Sequence, residues 1–127
     1  MKAHPLAPSL KMLTEKQRTG YKAEEKALSF LSEKGLVLEK RNFRCRFGEI
    51  DLIMRDGNAL VFVEVRKRKN SAFGGALASV SVAKQTKMVA TARFYLLNCR
   101  PVPPCRFDVI AFEGDRCQWL KNVIDAA

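Results

Sequence analysis

Two short stretches limit what this chain can become. Ile50-Asp51-Leu52-Ile53-Met54 and Leu60-Val61-Phe62-Val63-Glu64-Val65 are apolar at both odd and even positions, apart from one acid in each. That pattern suits strands covered on both faces, and the second stretch is the most β-prone in the chain. Asp56-Gly57 stands between them and marks a turn, so the two strands read as a hairpin. A hairpin buried on both sides requires other elements to cover it.

The rest of the chain offers those elements. Thr14-Glu15-Lys16-Gln17 fits a capping box, Gly35 a helix stop, and Gly20, Ala27, Leu28 and Leu31 form one stripe at helical spacing. A strand period follows over 36–43 and again over 47–55. Beyond a glycine-containing loop at 70–79, Gln85, Met88, Val89, Ala92 and Leu96 make the apolar face of a second helix, whose other face carries Lys84, Lys87 and Thr91. Pro101-Val102-Pro103-Pro104 ends that helix, and 106–112 and 117–120 read as two short strands. The expected order is helix, three strands, helix, two strands, in one α/β domain over 14–127 with a tail at 1–13. A length of 127 residues, with 47% hydrophobic and 28% charged residues, suits one core in one globular domain.

The two acids are the chemical feature of the hairpin. Period-2 geometry puts Glu49, Asp51 and Ile53 on one face and Phe62, Glu64, Arg66 and Arg68 on one face. A two-residue loop of Asp56 and Gly57 sets Asp51 opposite Phe62, whereas a four-residue loop sets it opposite Glu64. In both registers the acids share a face within the roughly 5–8 Å of direct and diagonal cross-strand neighbours. Carboxylates inside apolar strands are costly unless something offsets their desolvation. A divalent cation does so, and magnesium suits one or two carboxylates completed by water and phosphate, with the Val65 carbonyl as a further oxygen. The competing arrangement is a salt-bridge network of Glu49, Asp51, Glu64 and Arg66. Glu24 falls within the apolar stripe of the first helix while Glu25 points away, so Glu24 either reaches the same site or pairs with Arg66 or another buried cation.

Lysine and arginine number 23 against 13 acids, a net charge of +10 that is the footprint of a phosphate-backbone binder. Acidic membranes and ribosomal RNA are other partners for such charge. Cys45, Cys99, Cys105 and Cys117 show no zinc spacing, and the one histidine, His4, lies in the tail. They read as reduced thiols, partly in the core, of a cytoplasmic protein. No apolar run approaches the roughly 20 residues of a membrane span.

Gly20-x-x-x-Glu24-x-x-Ala27, Arg41-Asn42, Gly48-Glu49-Ile50-Asp51-Leu52-Ile53, Phe62-Val63-Glu64-Val65-Arg66-x-Arg68 and Cys105-Arg106-Phe107-Asp108-Val109-Ile110 together resemble the bacterial YraN-like family, from about Gly20 to the C-terminus. That family is similar to Holliday junction resolvases and other PD-(D/E)xK, restriction-endonuclease-like enzymes. The resemblance implies a mixed central sheet flanked by helices, and metal-dependent cleavage of DNA phosphodiesters with Mg2+ or Mn2+. DNA in branched or single-stranded form is the expected substrate, RNA stays open beside it, and junction-cleaving enzymes of this kind act as homodimers. It also implies Asp51 as the first acid, Glu64 as the second and Glu24 as the helical acid.

One position departs from that motif, which ends in lysine where this chain has Arg66. Lysine can lose a proton to help activate water, whereas arginine stays charged but can still stabilise a transition state. Lys67 points to the other face of the strand and cannot simply replace it. The run Arg66-Lys67-Arg68-Lys69 places positive charge beside the acids, and Arg44, Arg46, Lys84 and Lys87 extend a patch able to cradle a nucleic-acid backbone. Asp108 has no evident partner and reads as structural. Three functions are carried forward: a metal-dependent endonuclease, a nucleic-acid-binding module weakened in catalysis by Arg66, and a basic ribosome-associated protein.

Overall fold

Thr14 starts the first helix as its capping box prescribes. Its hydroxyl accepts from the Gln17 N–H at 3.1 Å, and the Gln17 side chain accepts from the Thr14 N–H at 2.9 Å. In the computed structural model, which describes residues 14–68 and 78–124, helix α1 runs Glu15–Glu33 and gives way at Gly35, where φ is +93°. The expected tail at 1–13, Lys69 and most of the loop at 70–79 fall outside the described residues. Strands β1 (Val37–Cys45), β2 (Gly48–Asp56) and β3 (Ala59–Arg68) follow, then helix α2 (Val82–Leu96) and strands β4 (Cys105–Glu113) and β5 (Arg116–Leu120).

The five strands lie in chain order across one sheet. β3 and β4 are parallel, with α2 in the connection between them, and the other neighbours are antiparallel. This is the mixed sheet flanked by helices that the motifs imply. α1 covers one face, burying Ala23, Ala27 and Leu31 over Leu52, Met54, Val61, Val63 and Ile110. α2 covers the other, with Met88 and Ala92 over Ile53, Leu60, Phe62, Phe107 and Val109. Coverage on both sides is why β2 and β3 carry apolar residues on both faces through their centres. Among the described residues no helix is long and apolar enough to cross a membrane.

Three expectations change. Gly20 is exposed with no neighbour near its Cβ position, because burial on α1 begins at Ala23. Thr91 belongs to the buried face of α2: it is fully enclosed, its hydroxyl bonding back to the Lys87 carbonyl at 2.7 Å. Asp108, also fully enclosed, has several partners, accepting from Arg106 Nε at 3.1 Å, Trp119 Nε1 at 2.9 Å and the Asn122 N–H at 2.9 Å. Arg106 then reaches Asp56 at 2.9 Å and clips β4 to the end of β2.

Gly48, at the start of β2, lets α2 close on the sheet. Its φ is +148°, and a Cβ there would sit 3.1 Å from Thr91 Oγ1 and 3.5 Å from Lys87 Cβ. Gly48→Ala should therefore cost roughly 1–3 kcal/mol through strain and overpacking. Urea unfolding reads this as a lower midpoint at unchanged slope, and an unmoved midpoint would show that the α2 contact is slack.

Candidate metal centre and nucleic-acid interface

The β2–β3 ladder runs from Asp56↔Ala59 to Leu52↔Val63. Asp56 therefore belongs to the ladder rather than the turn, leaving Gly57, with φ at +58°, and Asn58 at the tip. The register is the one expected from the longer loop, and one further step along it sets Asp51 against Glu64. Just past the last pair, Asp51 Oδ2 accepts from the Val65 N–H at 2.8 Å. A side chain thus satisfies the donor on β3 beyond the paired residues, and the Asp51 carboxylate is held toward β3.

Both acids are buried, Asp51 at 8% and Glu64 at 4% relative exposure. Arg66, two residues along β3, brings Nη1 to 3.8 Å from Glu64 Oε1. Lys84, in the first turn of α2, brings Nζ to 3.6 Å from Glu64 Oε2. Both distances exceed hydrogen-bond length, and Glu64 Oε2 has no hydrogen-bond partner. Burial, and then the charge of Asp51, push the Glu64 carboxyl up to about 7 against the weaker pull of Lys84 and Arg66. Asp51 is raised by its own burial despite the Val65 hydrogen bond, with Glu49 adding to the rise. In a closed salt-bridge network the cations would hold these acids low. Arg66 and Lys84 do stand at ion-pair distance from Glu64, as part of that competing arrangement, but their charge does not offset the burial.

Glu24 reaches the same neighbourhood from α1. Its carboxyl is raised first by burial and next by the charge of Asp51, while Arg41 and an Asn42 side-chain hydrogen bond pull it down. Arg41 Nε lies 3.6 Å from Glu24, and the same guanidinium bonds Glu25 and stacks over Tyr21. The cation facing Glu24 is thus Arg41 on β1, not Arg66. The Arg41-Asn42 pair was visible in the motif, but its role needed the β1–α1 contact.

The expected backbone-binding residues divide. Arg46 lies over Phe47, and Arg44 pairs with Glu49 at 2.6 Å while staying 75% exposed, both near the β1–β2 turn. Lys67 and Lys87 are exposed and Arg68 is half-buried. Lys84 is not merely a solvated lysine, because it faces Glu64. All four cysteines are free thiols; Cys99 is half-buried and packs against the core under α2, Cys45 is half-buried, and Cys105 and Cys117 are exposed.

A divalent ion fits the donors present. Glu64 Oε2 is a buried acceptor that makes no hydrogen bond, Lys84 Nζ standing off at 3.6 Å, and the β2–β3 register sets Asp51 across from it. Among the described residues no group of three His, Cys, Asp or Glu side chains gathers as a ligand set. A cation here would lean on two carboxylates and fill its shell with main-chain oxygen, water and phosphate, as magnesium does.

Comparison with known proteins agrees with the motifs. The model of the uncharacterised protein family UPF0102 matches residues 23–112. A UPF0102 protein of Janthinobacterium sp. (strain Marseille) is 53% identical over 117 residues, covering 92% of this chain and 95% of the relative. Another, from Nitrosomonas eutropha, is 49% identical over 114 residues, covering 89% and 98%. With the family model matched over most of the chain and relatives about half identical along nearly their whole length, this chain belongs to the uncharacterised protein family UPF0102, the YraN-like family.

Proposed function

We propose that this protein is a metal-dependent endonuclease that hydrolyses phosphodiester bonds of DNA, with Asp51 and Glu64 holding Mg2+ or Mn2+. The observation that carries this reading is the pair of facing, buried carboxylates whose Glu64 Oε2 lacks a donor. Bound there, the ion would lower the pKa of a water and hold a phosphate oxygen. In hydrolysis the water oxygen joins phosphorus, one phosphorus–oxygen ester bond breaks, and the water proton ends on the departing oxygen or in solvent. The Val65 N–H fixes Asp51 for this task, and Glu24, held by Arg41 and Asn42, adds negative charge behind it. Arg44, Arg46, Lys67, Arg68 and Lys87 supply the positive surface for the DNA backbone. The free thiols support a cytoplasmic setting.

Purified protein should cut at least one of duplex, single-stranded or four-way-junction DNA with magnesium or manganese, and none with chelator. RNA of matching form belongs in the same assay. Binding should weaken steeply as salt rises, and Lys67→Ala should flatten that slope by about one unit if it contacts one phosphate. Binding without cleavage in every form would favour a binding module that kept the fold. Affinity indifferent to salt would remove nucleic acid as the partner.

A further inference from the structure

The nuclease motif lacks its lysine on β3, yet a lysine stands at the second acid. Lys84 Nζ lies 3.6 Å from Glu64 Oε2, and its side chain is only 32% exposed. Arg66, which occupies the motif position, has Nη1 3.8 Å from Glu64 Oε1 but is tethered through Nη2, which donates to the Ser79 carbonyl at 2.8 Å. That bond ties β3 to the segment just before Ser81, the N-cap of α2, whose hydroxyl accepts from the Lys84 N–H at 3.1 Å. Arg66 therefore helps set where α2 begins, and so where Lys84 lies.

The position of Lys84 is not one that helix formation favours. It stands in the first turn of α2, where the peptide dipoles disfavour a cation, and that turn holds no acid to balance it. Gly48 allows α2 to close against the start of β2 on the same side of the sheet. Among the described residues, the amine is thus brought to Glu64 by helix packing rather than by strand periodicity.

Resting on the nuclease reading above, we propose that Lys84 takes the part of the missing motif lysine, its ammonium touching the phosphate or the attacking water through charge and hydrogen bonding, while Arg66 is a positioning residue. A fixed cation at a developing negative charge is worth about 10²-fold in rate, the size seen for single electrostatic stabilisers. The same ammonium also repels a metal ion bound at Glu64, which gives the placement a readout independent of cleavage.

The test compares wild type with Lys84→Ala, Lys84→Arg, and Lys84→Ala combined with Arg66→Lys. Lys84→Ala should lower kcat by about 10²-fold with little change in DNA affinity. Lys84→Arg should keep part of the rate, and the double variant should recover about tenfold by returning an amine to β3. Calorimetric titration with Mn2+ alone should show tighter binding to Lys84→Ala, with Lys26→Ala, at an exposed position of α1, unchanged as the control. If wild type cuts and Lys84→Ala cuts equally well, the inference fails and the nuclease reading stands. If the loss lies wholly in DNA affinity, Lys84 is a backbone contact and the inference fails again. Mn2+ affinity unmoved by Lys84→Ala overturns the placement of the amine. Wild type that cuts no DNA or RNA form overturns the nuclease reading and this inference together.

Discussion

With a metal held as proposed, Mg2+ or Mn2+ should stabilise the wild-type protein, and Asp51→Ala and Glu64→Ala should each abolish that increment together with metal-dependent cleavage. An ion that binds only the folded state stabilises it by about 2.7 kcal/mol at a hundredfold excess over its Kd. The quantity to compare is the increment between chelator and metal, not the melting temperature itself. Asp51→Ala also leaves the Val65 N–H without its acceptor, which costs stability regardless of metal. Asp51→Asn keeps an acceptor there while removing the charge, so it separates the two effects. DNA binding at low salt should persist in all of these variants, because the proposed phosphate contacts lie on Arg44, Arg46, Lys67, Arg68 and Lys87 rather than on the two acids. An increment that survives at both acids would put the ion elsewhere and return Asp51 and Glu64 to a strained ion-pair cluster with Arg66 and Lys84.

The acids were legible in the sequence because strand periodicity is local. Once 50–54 and 60–65 are strands joined by a turn of two or four residues, Asp51 and Glu64 share a face near each other, whereas a three-residue turn without a bulge would have separated them. The register was not legible, since Asp56 can serve either as a turn residue or as the last rung. Its pairing with Ala59 and its contact with Arg106, fifty residues on, belong to the assembled sheet. The same limit hid the partners of Asp108, which come from β4, β5 and the turn beyond. Thr91 was misplaced because hydroxyls often sit on solvent faces; here the hydroxyl is satisfied by Lys87 of its own helix and can be buried against Gly48. Glu24 could be recognised as a core-facing acid from the period of α1, but the charge opposite it lay on another element. Lys84 was the least legible, because on a helical wheel it looks like any surface lysine, and only the closure of α2 on the sheet brings it to Glu64.

Metal-free protein should lose stability as the pH rises from about 4.5 to about 7, the window set by the ordinary value of a glutamate and the raised value of Glu64. In that window the folded state retains a proton on Glu64 that the unfolded chain has released, so stability falls with rising pH. The contribution is fully present below 4.5 and is lost as the pH passes through about 7. At about 1.4 kcal/mol per unit, the span amounts to roughly 3 kcal/mol, and the rise of Asp51 acts in the same direction. Magnesium held as proposed should reverse the trend, because an ion at this site would bind the ionised carboxylates and gain affinity as they lose protons. Glu64→Gln, similar in size and without a proton to lose, should be more stable than wild type at neutral pH in chelator, less dependent on pH, and insensitive to magnesium. Urea unfolding at pH 5, 6, 7 and 8, with chelator and with magnesium, measures all three effects. Wild-type and Glu64→Gln curves that run parallel in chelator would mean that burial and the Asp51 charge do not hold the Glu64 proton, and the strain that a metal is proposed to relieve would be absent.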